Sequence, residues 1–158
     1  MKILAALAFL AALAGCAASG PAYQPAPEPG QGQALVYIFR PLTMAGYSSR
    51  DAYFFVDNQN VANLSNGGYS WVHMPAGEYR LTMRWPPDIT LGRDRDVILP
   101  ARWTAGRKYF YRMDVSSKPA AGGTLHQWRI VAVPPDTGEK EIACCKYQPA
   151  KPPDQRGF

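Results

Sequence analysis

Between Glu78 and Trp85 the chain alternates without a fault: Tyr79, Leu81, Met83 and Trp85 fall on one side, and Arg80, Thr82 and Arg84 on the other. Successive side chains of a strand point to opposite faces, so this segment buries one face and wets the other. A helix would scatter the same residues around its axis. The pattern returns in 107–115, where Tyr109, Tyr111, Met113 and Val115 share a face against Lys108, Phe110, Arg112 and Asp114. A third stretch, Leu125–Val133, sets Trp128, Ile130 and Ala132 inward and Gln127 and Arg129 outward.

Turn chemistry marks the other strands. Ala34–Arg40 is β-branched and aromatic and stops at Pro41; Asp51–Asp57 follows a Gly/Ser-containing loop. Asn58-Gln59-Asn60 turns into Val61–Leu64, and Ser65-Asn66-Gly67-Gly68 reverses the chain into Tyr69–Met74. Pro75-Ala76-Gly77 is another tight turn, and Asp94–Leu99 adds a short edge strand. Many short strands with frequent turns predict an all-β antiparallel sandwich. One short helix is expected near the C-terminus, with Asp136 as cap, Glu139 closing a capping box, and Glu139–Lys146 as its body.

The first sixteen residues carry an address. Lys2 precedes an apolar run, Ile3–Leu13, too short to span a bilayer, and Leu13-Ala14-Gly15-Cys16 follows. That ending resembles the bacterial lipobox, in which the Cys sulfur takes a diacylglyceryl thioether and cleavage falls just before it. An ordinary secretory signal or an uncleaved helix explains the order of segments less well. The resemblance implies lipidation at Cys16 and a membrane as partner through that lipid. Ala17 in place of Asp favours the outer membrane, facing the periplasm. The expected organisation is a lipoprotein signal over 1–15, a lipidated tether over 16–33, a β-sandwich over 34–147 and a disordered Pro-rich tail over 148–158. A fully extended tether would reach about 55–60 Å.

The formal charge is +5. Its excess concentrates between Arg80 and Arg112, and the alternation suggests a basic face of Arg80, Arg84, Lys108 and Arg112. Such a face suits an acidic envelope protein, lipopolysaccharide or another anionic envelope polymer. Export argues against nucleic acid. Cys144 and Cys145 are adjacent, so they cannot crosslink distant segments; free thiols, a vicinal disulfide and bonds to a second molecule stay open, with two small apolar residues on a helix as the favoured reading.

Catalytic signatures are missing from the sequence. There is no Gly-x-Ser-x-Gly elbow, phosphate-binding Gly-Lys-Ser/Thr loop or His-Glu-x-x-His element. Only His73 and His126 are present, and both read as packing or surface residues. Cys144-Cys145 lacks the spacer that would turn both sulfurs to one zinc. Asp94 and Asp96, interleaved with Arg93 and Arg95, read as a charged edge. No cofactor, metal or oligomeric state is implied.

The opening strand ending in Arg40-Pro41, then Phe55-Val56-Asp57, Val61-Ala62-Asn63-Leu64, Gly68-Tyr69 and Pro75-Ala76-Gly77-Glu78-Tyr79, resemble the bacterial lipoprotein family of the domain of unknown function 2846 type. The resemblance runs from Ala34 to about Cys145 and implies an immunoglobulin-like or prealbumin-like sandwich. Where that family carries Gly after the Asp of the second strand's turn, Asn58 stands here; Asn also tolerates left-handed geometry. The resemblance brings no activity with it. The leading expectation is a non-enzymatic envelope lipoprotein that binds a protein or envelope component. A small-ligand carrier using Tyr37, Trp71 and Trp128 comes second, and a hydrolase third.

Overall fold

Ala34–Phe39 carries no charged side chain and a single polar atom, the Tyr37 hydroxyl, and such a run is the mark of a strand buried on both faces. The computed structural model, which describes residues 17–44, 47–86 and 96–152, places this segment at the centre of a five-stranded sheet. The strands are β1 (Gln33–Phe39), β2 (Ala52–Val56), β3 (Gln59–Leu64), β4 (Gly68–Pro75) and β5 (Gly77–Arg84). They continue with β6 (Val97–Trp103), β7 (Lys108–Ala120) and β8 (Gly123–Val133), the helix α1 (Pro135–Ile142), and β9 (Lys146–Tyr147). One sheet has the order β8-β7-β1-β4-β9, the other β3-β2-β5-β6. The all-β sandwich with one short C-terminal helix is thus as the sequence predicts. Two pairings are parallel, β1 with β7 and β4 with β9. Alternation reveals a strand's faces and not its direction, so these lay beyond sequence reading.

Between the sheets lies the main core. Ala34, Val36 and Ile38 of β1 meet Phe54, Leu81, Met83, Trp103, Tyr111, Met113 and Ile130 there. The Trp103 indole N–H donates to the Tyr111 hydroxyl at 2.8 Å, which satisfies both polar groups inside the core. Trp128 and Ile130 face inward as expected, whereas Ala132 is exposed, where β8 runs out along the sheet edge.

A second apolar layer covers the outer face of the five-stranded sheet. Leu35, Tyr37 and Phe39, the other half of β1, join Tyr69, Phe110, Ile142, Cys145 and Ala26. α1 covers part of this face, and the segment expected as a free tether covers another part. Ala17 bridges to Asn66 and Ala22 to Lys146, and the Tyr147 amide donates to the Pro21 carbonyl at 2.8 Å. Tyr23 sets its ring edge-on to Tyr37 and Tyr69, at centroid distances of 6.2 and 5.5 Å. The Ala26 amide donates to the Tyr37 hydroxyl at 2.9 Å, and the Gln24 amide to that of Tyr69 at 3.2 Å. Residues 17–29 therefore form a strap. Its four prolines hide any hydrophobic period yet fix φ, so little backbone freedom is lost when it is laid down.

The helix also departs from expectation. It starts at Pro135, with Pro134 at the N-cap and no side-chain cap, so the Asp136–Glu139 capping box does not form. Proline in the first turn needs no such partner, because its missing N–H is one of the helix's orphan donors. Gly138 is buried under the sheet, and a side chain there would overlap the Phe110 ring. Cys144 and Cys145 fall beyond the helix, in the turn leading to β9, and not on it. The β2–β3 turn is Asp57-Asn58, both at positive φ (46° and 72°), while Gln59 and Asn60 already belong to β3. Asn58 thus adopts the left-handed geometry expected of it.

Candidate functional site

Asn66 gathers the most informative end of the sandwich. It follows β3 and is buried, so its polar groups need partners. Its side-chain oxygen accepts from the Thr43 amide at 3.0 Å, and its side-chain nitrogen donates to the Thr43 carbonyl at 2.7 Å. Its main-chain carbonyl accepts from the Ala18 amide at 2.9 Å. One residue therefore clamps both the loop after β1 and the start of the strap.

Arg40 supports the same end from inside. Arg40 is 1% exposed, and its guanidinium donates to the main-chain carbonyls of Arg50, Leu64 and Tyr47. It also lies over the Trp85 ring, 5.1 Å from the centroid. Burial draws its pKa down to about 10, against the opposing pull of Asp51. Asp51 in turn accepts from the Ser65 hydroxyl at 2.7 Å. Sequence reading took Arg40 as a strand terminus before Pro41. The available signal was an arginine continuing an otherwise apolar run.

The four residues of the expected basic face do not meet. Leu81 and Met83 point into the core, so Arg80 and Arg84 lie on the outside of the four-stranded sheet. Tyr111 and Met113 point into the same core from the other side, so Lys108 and Arg112 lie on the outside of the five-stranded sheet. The sandwich stands between the two pairs. Three of the four also have acidic partners: Arg84 with Asp96 at 2.8 Å, Lys108 with Glu28 of the strap at 2.6 Å, and Arg112 with both Asp114 and Glu141 at 2.6 Å. The hydrogen bonds that Arg112 donates to Asp114 and then Glu141 hold its guanidinium well above its usual pKa, outweighing partial burial. These pairs leave no single basic platform.

The aromatic trio of the carrier reading also separates. Tyr37 is buried on the outer layer, stacked on Phe110 at 4.6 Å, and Trp71 lies on that same layer. Trp128 stands between the sheets, edge-on to Trp85 at 5.0 Å. An open hollow of about 220 Å³ lies between the strap and Trp71 and Tyr147. Another of about 360 Å³ opens beside Lys108, Phe110 and Pro135.

His73 fastens the strap, its Nε2 donating to the Pro27 carbonyl at 2.9 Å. His126 bonds Ser117 at 2.8 Å; the two are direct cross-strand partners on the β7–β8 ribbon, outside both hollows. The Cys144 and Cys145 sulfurs are unbonded at 3.7 Å, with Cys144 exposed and Cys145 buried. Burial, followed by the neighbouring Cys144, pushes the Cys145 thiol far above its ordinary range. Among the described residues no group of three or more His, Cys, Asp or Glu side chains is set to hold a metal ion. Cys16 and the Arg93-Asp94-Arg95 stretch lie outside the described residues.

Residues 30–124 match the family described as protein of unknown function (DUF2846). The chain belongs to that family. No curated protein matches it. The DUF2846 match begins just before β1 and stops at the start of β8, short of the Cys145 limit suggested by the motifs. It contains both members of the Asn66–Thr43 clamp and Arg40. The strap, the body of β8, α1 and β9 lie outside it, so much of the cover over the outer layer comes from beyond the DUF2846 region.

Proposed function

We propose that this chain is a lipid-anchored module of the bacterial cell envelope, held by a thioether lipid on Cys16, that works by binding an envelope protein and not by catalysis. The observation that carries the reading is the pairing of Ala17 with Asn66. The residue next to the lipobox cysteine is fixed to the end of a folded domain, so an anchor at Cys16 sets that end at the bilayer. The lipobox order supplies the chemistry, since only a thiol forms the thioether. No helix among the described residues is long and apolar enough to cross a membrane.

The open edge of β8 supports the binding part of the proposal. β8 ends its sheet and pairs only with β7, which leaves main-chain groups along Gly123–Val133 available for strand addition by an extended segment of a partner. Ser117–Leu125 is exposed throughout. The Ser117–His126 pair sits on this open ribbon, where little would exclude water from a reaction. The outer membrane, facing the periplasm, is the proposed location, from Ala17 at the position after the cysteine.

The anchor is tested with Cys16→Ser in the producing cell. The wild type should fractionate with the outer membrane and carry a lipid mass on its N-terminal peptide, and the variant should be released. A variant that stays with the membrane as the wild type does removes the anchor. Replacing 117–126 with a tight turn should abolish capture of the partner protein while leaving the lipid in place. Unchanged capture removes the β8 ribbon from consideration.

A further inference from the structure

We propose that Leu42 and Met44 form a membrane seat, entering the interfacial layer of the same bilayer that holds the lipid on Cys16. The inference rests on the anchor proposed above. Leu42 is 67% exposed and Met44 95%, and large apolar side chains left in water need a reason when they cluster. Here they flank Thr43, whose amide and carbonyl are both bound by the Asn66 side chain. Leu42 also packs beside Gly67: its Cδ1 lies 3.5 Å from where a side chain on that glycine would begin. The loop is thus held in place by a clamp, and its apolar residues are not exposed through looseness.

The same Asn66 holds the start of the strap, through Ala17 and the Ala18 amide. Residue 16 is one peptide away, with its Cα about 3.8 Å from that of Ala17. An acylated cysteine sits at headgroup level, and apolar side chains of interfacial elements lie about 5–10 Å into the headgroup–acyl boundary. Leu42 and Met44 stand on the clamp from which residue 16 departs, so that layer is within their reach. Two neighbours suit the setting. Lys146, exposed on β9, pairs with Ala22 and Gly68 at this end and offers a cation to anionic headgroups. The β7–β8 ribbon runs past the same end, with exposed Leu125 directly across from Lys118. The sandwich therefore rests on this end. Among the described residues, the opposite end, where Ala76 bonds Gly32 and Gly106 bonds Gln33, presents none of the exposed large apolar side chains.

The test uses the mature, lipidated chain in vesicles of phosphatidylethanolamine with a minority of phosphatidylglycerol. Met44→Cys, in a Cys144→Ser background, carries an environment-sensitive fluorophore; a second protein carries it at Ala105→Cys, at the far end. Both positions are exposed, so neither label disturbs the core. The label at 44 should shift to the blue in vesicles and lose emission to lipids bearing a nitroxide high on the acyl chain. The label at 105 should do neither. A label at 44 that stays aqueous, on protein whose mass shows the lipid, overturns the seat and leaves the anchor standing. Shifts of equal size at 44 and 105 overturn it as well, since the contact would then lack an orientation. A chain that carries no lipid when isolated, and floats with vesicles no better than Cys16→Ser, overturns the anchor and the seat with it.

Discussion

Removing the Tyr23 ring is the sharpest perturbation of the strap. Tyr23 makes two edge-on ring contacts, with Tyr37 and Tyr69, and fills part of the outer apolar layer. Each ring pair contributes about 0.5–1.5 kcal/mol beyond its buried area. Tyr23 is only half-buried, so Tyr23→Ala should weaken strap closure by about 2 kcal/mol in all. At a factor of ten for every 1.4 kcal/mol, that is about a 30-fold rise in the open population. The effect is local, because β1 keeps its pairing on both sides whether or not the strap is down. Amide hydrogen exchange reads it directly at Gln24 and Ala26, whose N–H groups bond the two tyrosine hydroxyls. Both amides should be protected in the wild type and exchange about 30-fold faster in the variant, while β1 amides keep their rates. Tyr37→Phe should speed Ala26 and leave Gln24 less affected. Free-peptide exchange at Ala26 in the wild type would refute the strap, and so would an unchanged rate in Tyr23→Ala. Reach changes with it: on the proposed anchor, a released strap allows the domain about 55 Å of extension.

Gly138→Ala should destabilise the fold by about 1–3 kcal/mol in urea unfolding, because the new methyl overlaps Phe110. Helix propensity alone predicts the opposite sign, and a stabilised variant would disprove the close approach. Arg40→Leu removes the charged donor shared by the Arg50, Leu64 and Tyr47 carbonyls and should lower unfolding free energy by about 3–5 kcal/mol, a loss that Lys at this position does not restore. Cys145 should resist thiol reagents until unfolding, while Cys144 reacts at once. Its folded thiol sits above the ordinary value of 9.0, so its contribution is complete below that pH and is lost as pH rises beyond it. The slope is at most about 1.4 kcal/mol per pH unit. Cys145→Ala should remove that slope between pH 9 and the onset of tyrosine ionisation near 10.

What the sequence revealed, and what it hid, divides along physical lines. β5 and the body of β7 were legible because each lines its outer face mostly with polar side chains, Arg80, Thr82 and Arg84 on one and Lys108, Arg112 and Asp114 on the other, and alternation is the imprint of that asymmetry. β1 shows no alternation because both of its faces are buried, so its central place could not be read from a period. β6 was expected over Asp94–Leu99 and runs over Val97–Trp103, with Pro100 inside it opposite Arg80; an edge strand tolerates a proline that a central one would not. β7 passes Val115 and reaches Ala120 for a similar reason, since Pro119 sits on a ribbon paired along one side only. The basic face failed because alternation assigns a residue to a side of its own strand and is silent about which sheet that strand joins. The strap failed because two anchoring residues, Tyr23 and Ala26, are too few to make a pattern among prolines.

The parallel pairing of β1 with β7 has a consequence for assembly. Leu35 hydrogen-bonds across to a strand that begins at Lys108, so the first strand to emerge waits for most of the chain before its second neighbour exists. Contacts of that sequence separation close slowly, since the intervening loop must lose its freedom first. Until then β1 is an unfinished, largely apolar segment with one edge open. For the export proposed above, that delay matters: the sandwich cannot close around β1 while its seventh strand is still to come.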